Sequence, residues 1–263
     1  MHLPTIKAVF FDIDGTLISF NTHAVPQSTL DAIKELKKKG IKVIVSTGRS
    51  INNLDHIKHL GFDGYSTFNG GYCVVAENDT ILHRATMDPA DVERLIAHSK
   101  QTPLSFSLMS EQEVTIHHVT PEIDMMYEAV NLPTPPLTNF DTLDTGSILQ
   151  VNVFIHPDQE DEFMANIMPN SIATRWIETF ADVNPGGQSK KVGIEAFCRH
   201  FGFDVSETMA FGDGGNDMEM LKYAGVGIAM GNANPAVKES ADYVTDHVDE
   251  DGIWNALVHY QVI

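Results

Sequence analysis

The chain is organised around the octet Val9-Phe10-Phe11-Asp12-Ile13-Asp14-Gly15-Thr16. Its apolar first part predicts a short β-strand that is buried on both faces. The strand ends at two carboxylates, Asp12 and Asp14, and side chains two positions apart on a strand point to the same side. We therefore expect both carboxylates to reach one small space beyond the end of the strand.

Two carboxylates that lie so close together repel each other unless one takes up a proton or a cation lies with them. A hard divalent ion, Mg²⁺ by preference, is the natural occupant of such an oxygen-lined site. Gly15 permits a tight turn there, and Thr16 offers a hydroxyl and a backbone N–H to an anion. The alternative is a strand that happens to end in acidic turn residues, since Asp and Gly are common in turns. The motif G-x-x-x-x-G-K-[ST] does not occur in the chain, which disfavours a nucleoside-triphosphatase loop.

Composition and charge exclude several classes of protein. The chain has 263 residues, of which 43% are hydrophobic and 20% charged, enough for one large domain or two modest ones. Its net charge of −19 argues against a nucleic-acid partner and against an anionic membrane surface. No apolar run approaches the length of a membrane span, and Met1-His2-Leu3-Pro4 lacks the basic and apolar regions of a signal peptide. Cys73 and Cys198 lie far apart in apolar contexts without zinc spacing, as expected for buried thiols in the cytoplasm.

Strands and helices alternate at both ends of the chain, which is typical of a parallel sheet with right-handed crossovers. Near the amino end the pattern predicts a helix over 27–39, a strand over 41–45, a helix over 51–61, a strand over 65–68 that ends at Asn69-Gly70-Gly71, and a hairpin over 72–76 and 80–83. Near the carboxyl end it predicts a helix over 189–201, a strand over 208–211, a helix over 218–224, a strand over 226–230, a helix over 235–240, a strand over 243–244 and a helix over 252–258. A dinucleotide loop at Gly225-x-Gly227-x-x-x-Gly231 is disfavoured because these glycines flank a strand rather than open a helix.

The middle of the chain has a different pattern. It predicts helices over 89–100, 121–130 and 159–168 and strands over 104–109, 113–118, 148–155, 172–177 and 179–183. Gln150 and Asn152 alternate with apolar residues, which indicates a half-buried strand. We therefore predict an α/β protein with a Rossmann-like, parallel-sheet core over 1–84 and 185–263 and a smaller, inserted α+β domain over 85–184.

Ligands bind parallel sheets of this kind beyond the carboxyl ends of the strands, where the polar clusters of this chain lie. Three predicted strands end at Asp12-x-Asp14-Gly15-Thr16, at Ser46-Thr47-Gly48 and at Gly212-Asp213-x-x-Asn216-Asp217, and Lys190 opens the helix before the last of them. Together they provide a nucleophile, a hydroxyl donor, a cation and a second acidic cluster for a metal. This combination suits phosphoryl transfer, in which positioning and charge neutralisation supply most of the catalysis.

With these motifs the sequence resembles the haloacid dehalogenase-like superfamily, and within it the Cof-type phosphatases. The resemblance covers nearly the whole chain and rests on Phe11-Asp12-Ile13-Asp14-Gly15-Thr16-Leu17, Ser46-Thr47-Gly48-Arg49, Ser189-Lys190, Phe211-Gly212-Asp213-Gly214-Gly215-Asn216-Asp217-Met218-Glu219-Met220-Leu221 and the tail Ala229-Met230-Gly231-Asn232-Ala233, Val237-Lys238 and Ala241-Asp242-Tyr243. Four motifs in the right order are far more specific than any one alone. The resemblance implies a cap domain of the C2B type, inserted in the core, that closes over the site and selects the leaving group.

The resemblance also implies roles for individual residues. Asp12 would be the nucleophile that becomes an aspartyl phosphate, and Asp14 would protonate the leaving oxygen and later activate water. The phosphoryl group and substrate would be held by Thr47, Gly48, Lys190 and Asn216. Mg²⁺ would be bound by the Asp12 carboxylate, the Asp14 backbone carbonyl and Asp213. Asn216 and Asp217 would orient the lysine and the waters of the metal.

Taken one at a time, some of these residues have simpler explanations. A helix lysine such as Lys190 is more often solvated than catalytic, and Thr47 alone is better explained as a cap at a strand end. Arg49 could equally pair with an acid or touch the substrate, and we assign it no role.

The function expected from the resemblance is a Mg²⁺-dependent phosphatase of small phosphorylated metabolites, with sugar phosphates as the leading class. Its partner would be a small-molecule phosphate ester, and the chain would be a monomer or a weak homo-oligomer. Similar cores serve phosphomutases and phosphatases dedicated to one glycosyl phosphate, so these remain alternatives. A non-catalytic sensor of phosphorylated metabolites is a further alternative, although a sensor needs no second carboxylate in the first motif.

Overall fold

The computed structural model describes residues 5–129, 131–175 and 178–263. Its strands are β1 (Ala8–Phe11), β2 (Lys42–Ser46), β3 (Gly64–Thr67), β4 (Tyr72–Val75), β5 (Ile81–Arg84), β6 (Phe106–Met109), β7 (Val114–Ile116), β8 (Gln150–Val153), β9 (Ser171–Thr174), β10 (Ala181–Pro185), β11 (Thr208–Gly212), β12 (Val226–Ala229) and β13 (Tyr243–Val244). Its α-helices are α1 (Gln27–Lys38), α2 (Asp55–Lys58), α3 (Pro89–Ser99), α4 (Pro121–Ala129), α5 (Pro157–Ile167), α6 (Lys190–Phe201), α7 (Met218–Tyr223), α8 (Pro235–Glu239) and α9 (Gly252–His259). Parts of two predicted elements, at Val130 and at Trp176-Ile177, lie outside the described residues.

The strands form two separate sheets. The core sheet has the order β13-β12-β11-β1-β2-β3-β4-β5 and is parallel from β13 to β3, with β4 and β5 added as an antiparallel edge. The second sheet, β7-β6-β8-β10-β9, is antiparallel throughout. The predicted fold class, an α/β core with an inserted antiparallel cap, is therefore confirmed. The domain limits at 84/85 and 184/185 stay a prediction, since β10 continues to Pro185.

The first strand is buried on both faces, as its apolar sequence predicts. Val9 and Phe11 pack in one core cluster with residues of α1 and α9, whereas Ala8 and Phe10 pack in another with residues of α6 and α7. Phe11 stacks on Phe211 of β11, with ring centroids 5.2 Å apart. Helices therefore cover both faces of the sheet, which leaves its carboxyl edge as the open side where loops can build a site.

Two predicted elements differ from the structure. The helix expected over 51–61 is a 3₁₀ turn, Ile51–Asn53, followed by the four-residue helix α2. Asn52 and Asn53 have low helix propensity, and the amide of Asn52 instead donates to the carbonyl of Glu111 in the cap. The prediction of a half-buried β8 is also wrong, because Gln150 and Asn152 are only 1% and 3% exposed. The polar face of β8 is turned toward the core, and Gln150 of this face donates to the carbonyl of Gly48.

No helix among the described residues is both long enough and apolar enough to cross a membrane.

Candidate active site

The three acidic and hydroxyl-bearing loops meet at one edge of the core sheet. Strands β11, β1 and β2 are neighbours and run parallel, so the residues after their carboxyl ends lie side by side. A cavity of about 430 Å³ opens at this edge. Among the predicted site residues, those that line it are Asp12, Asp14, Thr47, Gly48, Asp213 and Asn216. The structure thus brings these six together around one space.

Lys190 and Asp217, the other two predicted site residues, lie behind Asp12. The Lys190 ammonium is fully buried and donates to Asp12 Oδ1 and to Asp217 Oδ1, both at 2.5 Å. Asp217 Oδ2 accepts the backbone N–H groups of Asp213 and Gly214 at 2.9 Å. Burial alone would lower the pKa of Lys190, but the two carboxylates raise it above its usual value, so the side chain stays charged. The alternative of a solvated helix lysine is therefore wrong.

The electrostatics of Asp12 and Asp213 fit a divalent cation. Burial, with help from Asp217, raises the pKa of Asp12 to about 7 although Lys190 opposes the shift. Burial and the charge of Asp12 raise the pKa of Asp213 well above its usual value. Carboxylate oxygens of Asp12, Asp213 and Asp217 lie within 4.8 Å of one another. Carboxylates crowded in this way attract either protons or a hard cation, so the donor set suits Mg²⁺.

Within this acidic group Asp217 is the poorest candidate for direct metal binding, because it is fully buried away from the cavity lining and its oxygens accept from the Lys190 ammonium and from two backbone N–H groups. Asp213 is held in place by Thr16, whose hydroxyl donates to Asp213 Oδ1 at 2.8 Å. A Cβ atom on Gly15, which has φ +84°, would lie 2.2 Å from Asp213 Oδ2. Only glycine therefore fits in the turn below that carboxylate.

Asp14 is turned away from this acidic group toward Arg49. Arg49 Nε donates to Asp14 Oδ2 at 2.8 Å, and Nη2 donates to Asp14 Oδ1 at 2.7 Å. Of the two possibilities left open for Arg49, pairing with an acid is therefore observed, and the residue also lines the cavity. The Thr47 hydroxyl accepts the backbone N–H of Arg49 at 3.1 Å, a local turn bond of the kind a strand-end threonine makes.

The cap supplies the far side of the cavity. Its polar part is formed by Gln150, Asn152 and Asp182, and Gln150 Nε2 donates across to the carbonyl of Gly48 at 3.0 Å. Burial raises the pKa of Asp182 to about 6, although hydrogen bonds from Asn69 and Asn152 oppose the shift. The apolar side chains that line the cavity are Phe20, Met109, Met126, Tyr127, Leu132 and Phe180.

The sequence analysis assigned no role to several residues that lie in or beside the site. Asn69, Asp182 and Asn184 form a buried polar group between core and cap, and Asn232 donates to the carbonyl of Gly15 at 2.8 Å. Asn69 was detectable only as a polar residue after a predicted strand, and Asn232 only as part of the tail motif. Asp182 and Asn184 lie in a strand where the sequence offers no reason to expect a site.

Comparisons with known proteins agree with this geometry. The family model described as haloacid dehalogenase-like hydrolase matches residues 9–257. YkrA of Bacillus subtilis (strain 168), which is provisionally named a phosphatase, is 34% identical over 254 residues, or 95% of this chain and 96% of that protein.

Two solved structures are also similar. One, from a study of a trigonal-bipyramidal intermediate in a phosphoryl-transfer superfamily, has 37% identity and a TM-score of 0.91, and the match covers 98% of this chain and 100% of the other. The second is the subclass IIB sugar phosphatase BT4131, with 38% identity and a TM-score of 0.89 over 98% and 100% of the two chains. With a family match across nearly its whole length and phosphatase-named relatives, this chain belongs to the haloacid dehalogenase-like hydrolases and is a phosphatase of that family.

Proposed function

We propose that this chain is a Mg²⁺-dependent phosphatase that hydrolyses the monoesters of small phosphorylated metabolites, sugar phosphates above all, through an aspartyl phosphate on Asp12. The observation that carries the proposal is the position of Asp12. Its Oδ1 accepts from Lys190 at 2.5 Å, and its carboxylate lines the cavity beside Asp213. The ammonium orients the carboxylate, so that Oδ2 is the oxygen available for attack.

In the first chemical step Asp12 Oδ2 forms a bond to phosphorus while the bond from phosphorus to the ester oxygen breaks. The leaving alkoxide takes a proton from Asp14, which lines the same cavity. Both oxygens of Asp14 accept from Arg49, so proton transfer requires Asp14 to release at least one of these bonds. In the second step Asp14 takes a proton from water, whose oxygen attacks phosphorus and frees orthophosphate from Asp12.

Asp12, Asp213 and the backbone carbonyl of Asp14 would hold Mg²⁺. When bound, the ion neutralises part of the negative charge of the phosphate and of the carboxylates around it. The buried ammonium of Lys190, which stays charged between Asp12 and Asp217, adds a fixed positive charge beside the nucleophile. These groups act by positioning and charge neutralisation, which phosphoryl transfer needs most.

The lining of the cavity supports a sugar phosphate. Gln150, Asn152 and Asp182 offer donors and acceptors to hydroxyl groups, whereas Phe20 and Tyr127 offer rings on which the C–H face of a sugar can pack. The similar structure BT4131 is itself described as a sugar phosphatase. The free, buried thiols of Cys73 and Cys198 support the reducing cytoplasm as the compartment of this enzyme.

A substrate screen tests the proposal. Orthophosphate release would be measured on sugar phosphates, nucleotides, pyridoxal phosphate and flavin mononucleotide, with Mg²⁺ and with chelator. We expect sugar phosphates to give the highest kcat/KM, and activity to vanish in chelator and return with Mg²⁺. A sugar phosphate labelled in the phosphate separates hydrolysis from mutase chemistry, because a mutase returns the label on the sugar. Absence of orthophosphate release from every compound would instead favour a sensor, and full activity in metal-free buffer would refute the metal site.

A further inference from the structure

Asn69 lies in a strained turn between the end of β3 and β4. Its backbone has φ 52°, and its neighbours Phe68 and Gly70 have φ 51° and 90°. Residues other than glycine adopt this region at a cost, and asparagine tolerates it better than most. A Cβ atom on Gly70 would lie 2.2 Å from the carbonyl oxygen of Ser189, so the turn is pressed against the segment that leads into Lys190. Strain of this kind persists where the surrounding structure imposes it, and it occurs often at functional sites.

The turn carries the buried side chain of Asn69 to the boundary between core and cap, where it is only 2% exposed. Its Nδ2 is 2.9 Å from Asp182 Oδ2, 3.2 Å from Gln150 Oε1 and 3.2 Å from Asn184 Oδ1. All three acceptors belong to the polar face of the cap sheet. Two N–H donors are therefore shared among three cap oxygens.

The other end of the same amide faces the core. Asn69 Oδ1 accepts from Asn216 Nδ2 at 2.9 Å, and the Asn69 backbone N–H donates to the carbonyl of Thr47 at 3.0 Å. Asn216 and Thr47 both line the cavity. One side chain thus joins the cap sheet to the loop that carries Asn216, while its backbone holds the loop after β2.

We propose that Asn69 is a positioning residue of the phosphatase, whose side-chain amide couples closure of the cap to the orientation of Asn216 beside the cavity. Asn69 is not among the residues that line the cavity, so it acts through Asn216 rather than on the substrate. Its contacts with Gln150, Asp182 and Asn184 exist only when the cap lies on the core. An open cap therefore leaves the Asn69 amide without the acceptors that fix its orientation, and Asn216, which donates to that amide, loses a fixed acceptor. The effect on KM rests on the proposed function, whereas the effect on cap closure, measured as the radius of gyration, does not.

Because Asn69 pairs with Asp182, the proposal can be tested by exchanging the amide and the carboxylate between these two positions. An amide donating to a carboxylate is a complementary pair, whereas two carboxylates in a buried space repel each other. Asn69→Asp keeps the shape of the side chain, tolerates the left-handed backbone and keeps an acceptor for Asn216. It removes the donors toward the cap and places a second carboxylate against Asp182. Asn69→Asp combined with Asp182→Asn restores one amide and one carboxylate with their positions exchanged.

The experiment measures kcat and KM on the sugar phosphate that the wild-type enzyme hydrolyses best, and the radius of gyration of the full chain by X-ray scattering with Mg²⁺ present. We expect Asn69→Asp to raise KM by about tenfold or more and to increase the radius of gyration, because like-charge repulsion at a buried contact opens the cap. The double exchange should return the radius of gyration to within error of the wild-type value and bring KM below that of Asn69→Asp, and any remaining difference in KM reports the loss of the Asp182 carboxylate from the cavity. Asn78→Asp is the matched control, since it adds the same charge in an exposed turn and keeps the acceptor for the Thr80 N–H.

A wild-type KM and radius of gyration for Asn69→Asp would overturn the proposal, and a double exchange no better than the worse single variant would overturn the direct pairing with Asp182. If Asn69→Asp does not fold, Asn69→Gly replaces it, because glycine accepts the left-handed backbone and lacks the amide. Asn69→Gly should also open the cap and raise KM, and wild-type values would count against the proposal. A wild-type protein that hydrolyses no phosphate ester refutes the proposed function alone, since the scattering comparison still tests the coupling.

Discussion

Arg49 holds the carboxylate of Asp14 by two parallel hydrogen bonds, Nε to Oδ2 at 2.8 Å and Nη2 to Oδ1 at 2.7 Å. The Arg49 side chain is only 8% exposed, so the pair is shielded from solvent. Bidentate pairing fixes both the position and the plane of a carboxylate. The pairing therefore sets the orientation of Asp14, the proposed general acid, at the cavity. The two carboxylates of the first motif differ in this respect, because Asp12 accepts from Lys190 instead.

Replacing Arg49 by lysine should slow the reaction although the charge is kept. A lysine is a point charge that cannot make the planar double bond to Asp14, so the carboxylate loses its fixed orientation. We expect single-turnover phosphoryl transfer from a sugar phosphate to fall by about tenfold or more. Arg84→Lys, at an exposed ion pair with Glu111, is the control and should leave the rate unchanged. In an Asp14→Asn background the effect of Arg49→Lys should shrink, and full additivity would contradict an action through Asp14.

Asp12→Asn should abolish phosphoryl transfer for every substrate, whatever its leaving group. An amide is not a nucleophile at phosphorus, and loss of a covalent nucleophile costs on the order of 10⁴-fold or more. Circular dichroism and thermal unfolding should establish that the variant is folded, because Lys190 keeps Asp217 as a partner. Asp31→Asn, at an exposed carboxylate on α1, is the matched control. Residual activity within about tenfold of the wild type would exclude Asp12 as the nucleophile.

Asp14→Asn should separate the two chemical steps. The lost proton donor costs typically 10²–10⁴-fold with a sugar leaving group, whereas a nitrophenolate hardly needs the proton. In single turnover the variant should therefore lose far less rate on p-nitrophenyl phosphate than on a sugar phosphate. Hydrolysis of the aspartyl phosphate still needs Asp14 as base, so we expect a burst of nitrophenol followed by slow turnover. Equal losses on the two substrates in single turnover would show that Asp14 is not the general acid.

Binding of Mg²⁺ should weaken as the pH falls. Burial and Asp217 raise the pKa of Asp12 to about 7, so below that pH the metal-free carboxyl holds a proton that the ion must displace. The apparent affinity for Mg²⁺ therefore rises with pH until the pH is somewhat above about 7. The rise is up to about tenfold per pH unit for each proton that is released. Calorimetry in two buffers of different ionisation enthalpy counts these protons directly. A dissociation constant that is unchanged between about pH 5.5 and 8 would contradict a raised pKa for Asp12.

Gln150→Ala and Asn152→Ala should change the order of preferred substrates. Both side chains lie on the covered face of β8 and line the cavity, so they meet the leaving group rather than the phosphoryl group. Loss of a buried donor changes discrimination between substrates that do and do not satisfy it by about tenfold or more. Relative kcat/KM values on a panel of sugar phosphates measure the effect, with p-nitrophenyl phosphate as a reference for general damage. If both variants keep the wild-type ranking, these two residues do not select the substrate.

Much of the fold and of the core site could be predicted because the decisive signals are local. The run Val9–Phe11 is apolar at successive positions, which a strand buried on both faces requires, and the structure buries each of these residues. Asp12, Thr47 and Asp213 each follow such a strand directly, so their proximity follows from the parallel order of the strands alone. The prediction of a helix over 51–61 is wrong because the low helix propensity of Asn52 and Asn53 outweighs the helical periodicity of the apolar residues around them.

The sequence alone was sufficient for the α/β class, the inserted cap and the motifs of the phosphatase, since each depends on short-range order along the chain. Tertiary structure decided which charges pair: Lys190 with Asp12 and Asp217, and Arg49 with Asp14. It also decided that Gln150 and Asn152 face the core, and that Asn69 meets Asp182 across 113 positions of sequence. Contacts of this kind depend on how the two sheets pack on each other, and no periodicity within one strand encodes that packing. Burial then sets the chemistry, because it is the removal of water around Asp12, Asp182 and Lys190 that makes their protonation and their pairing matter.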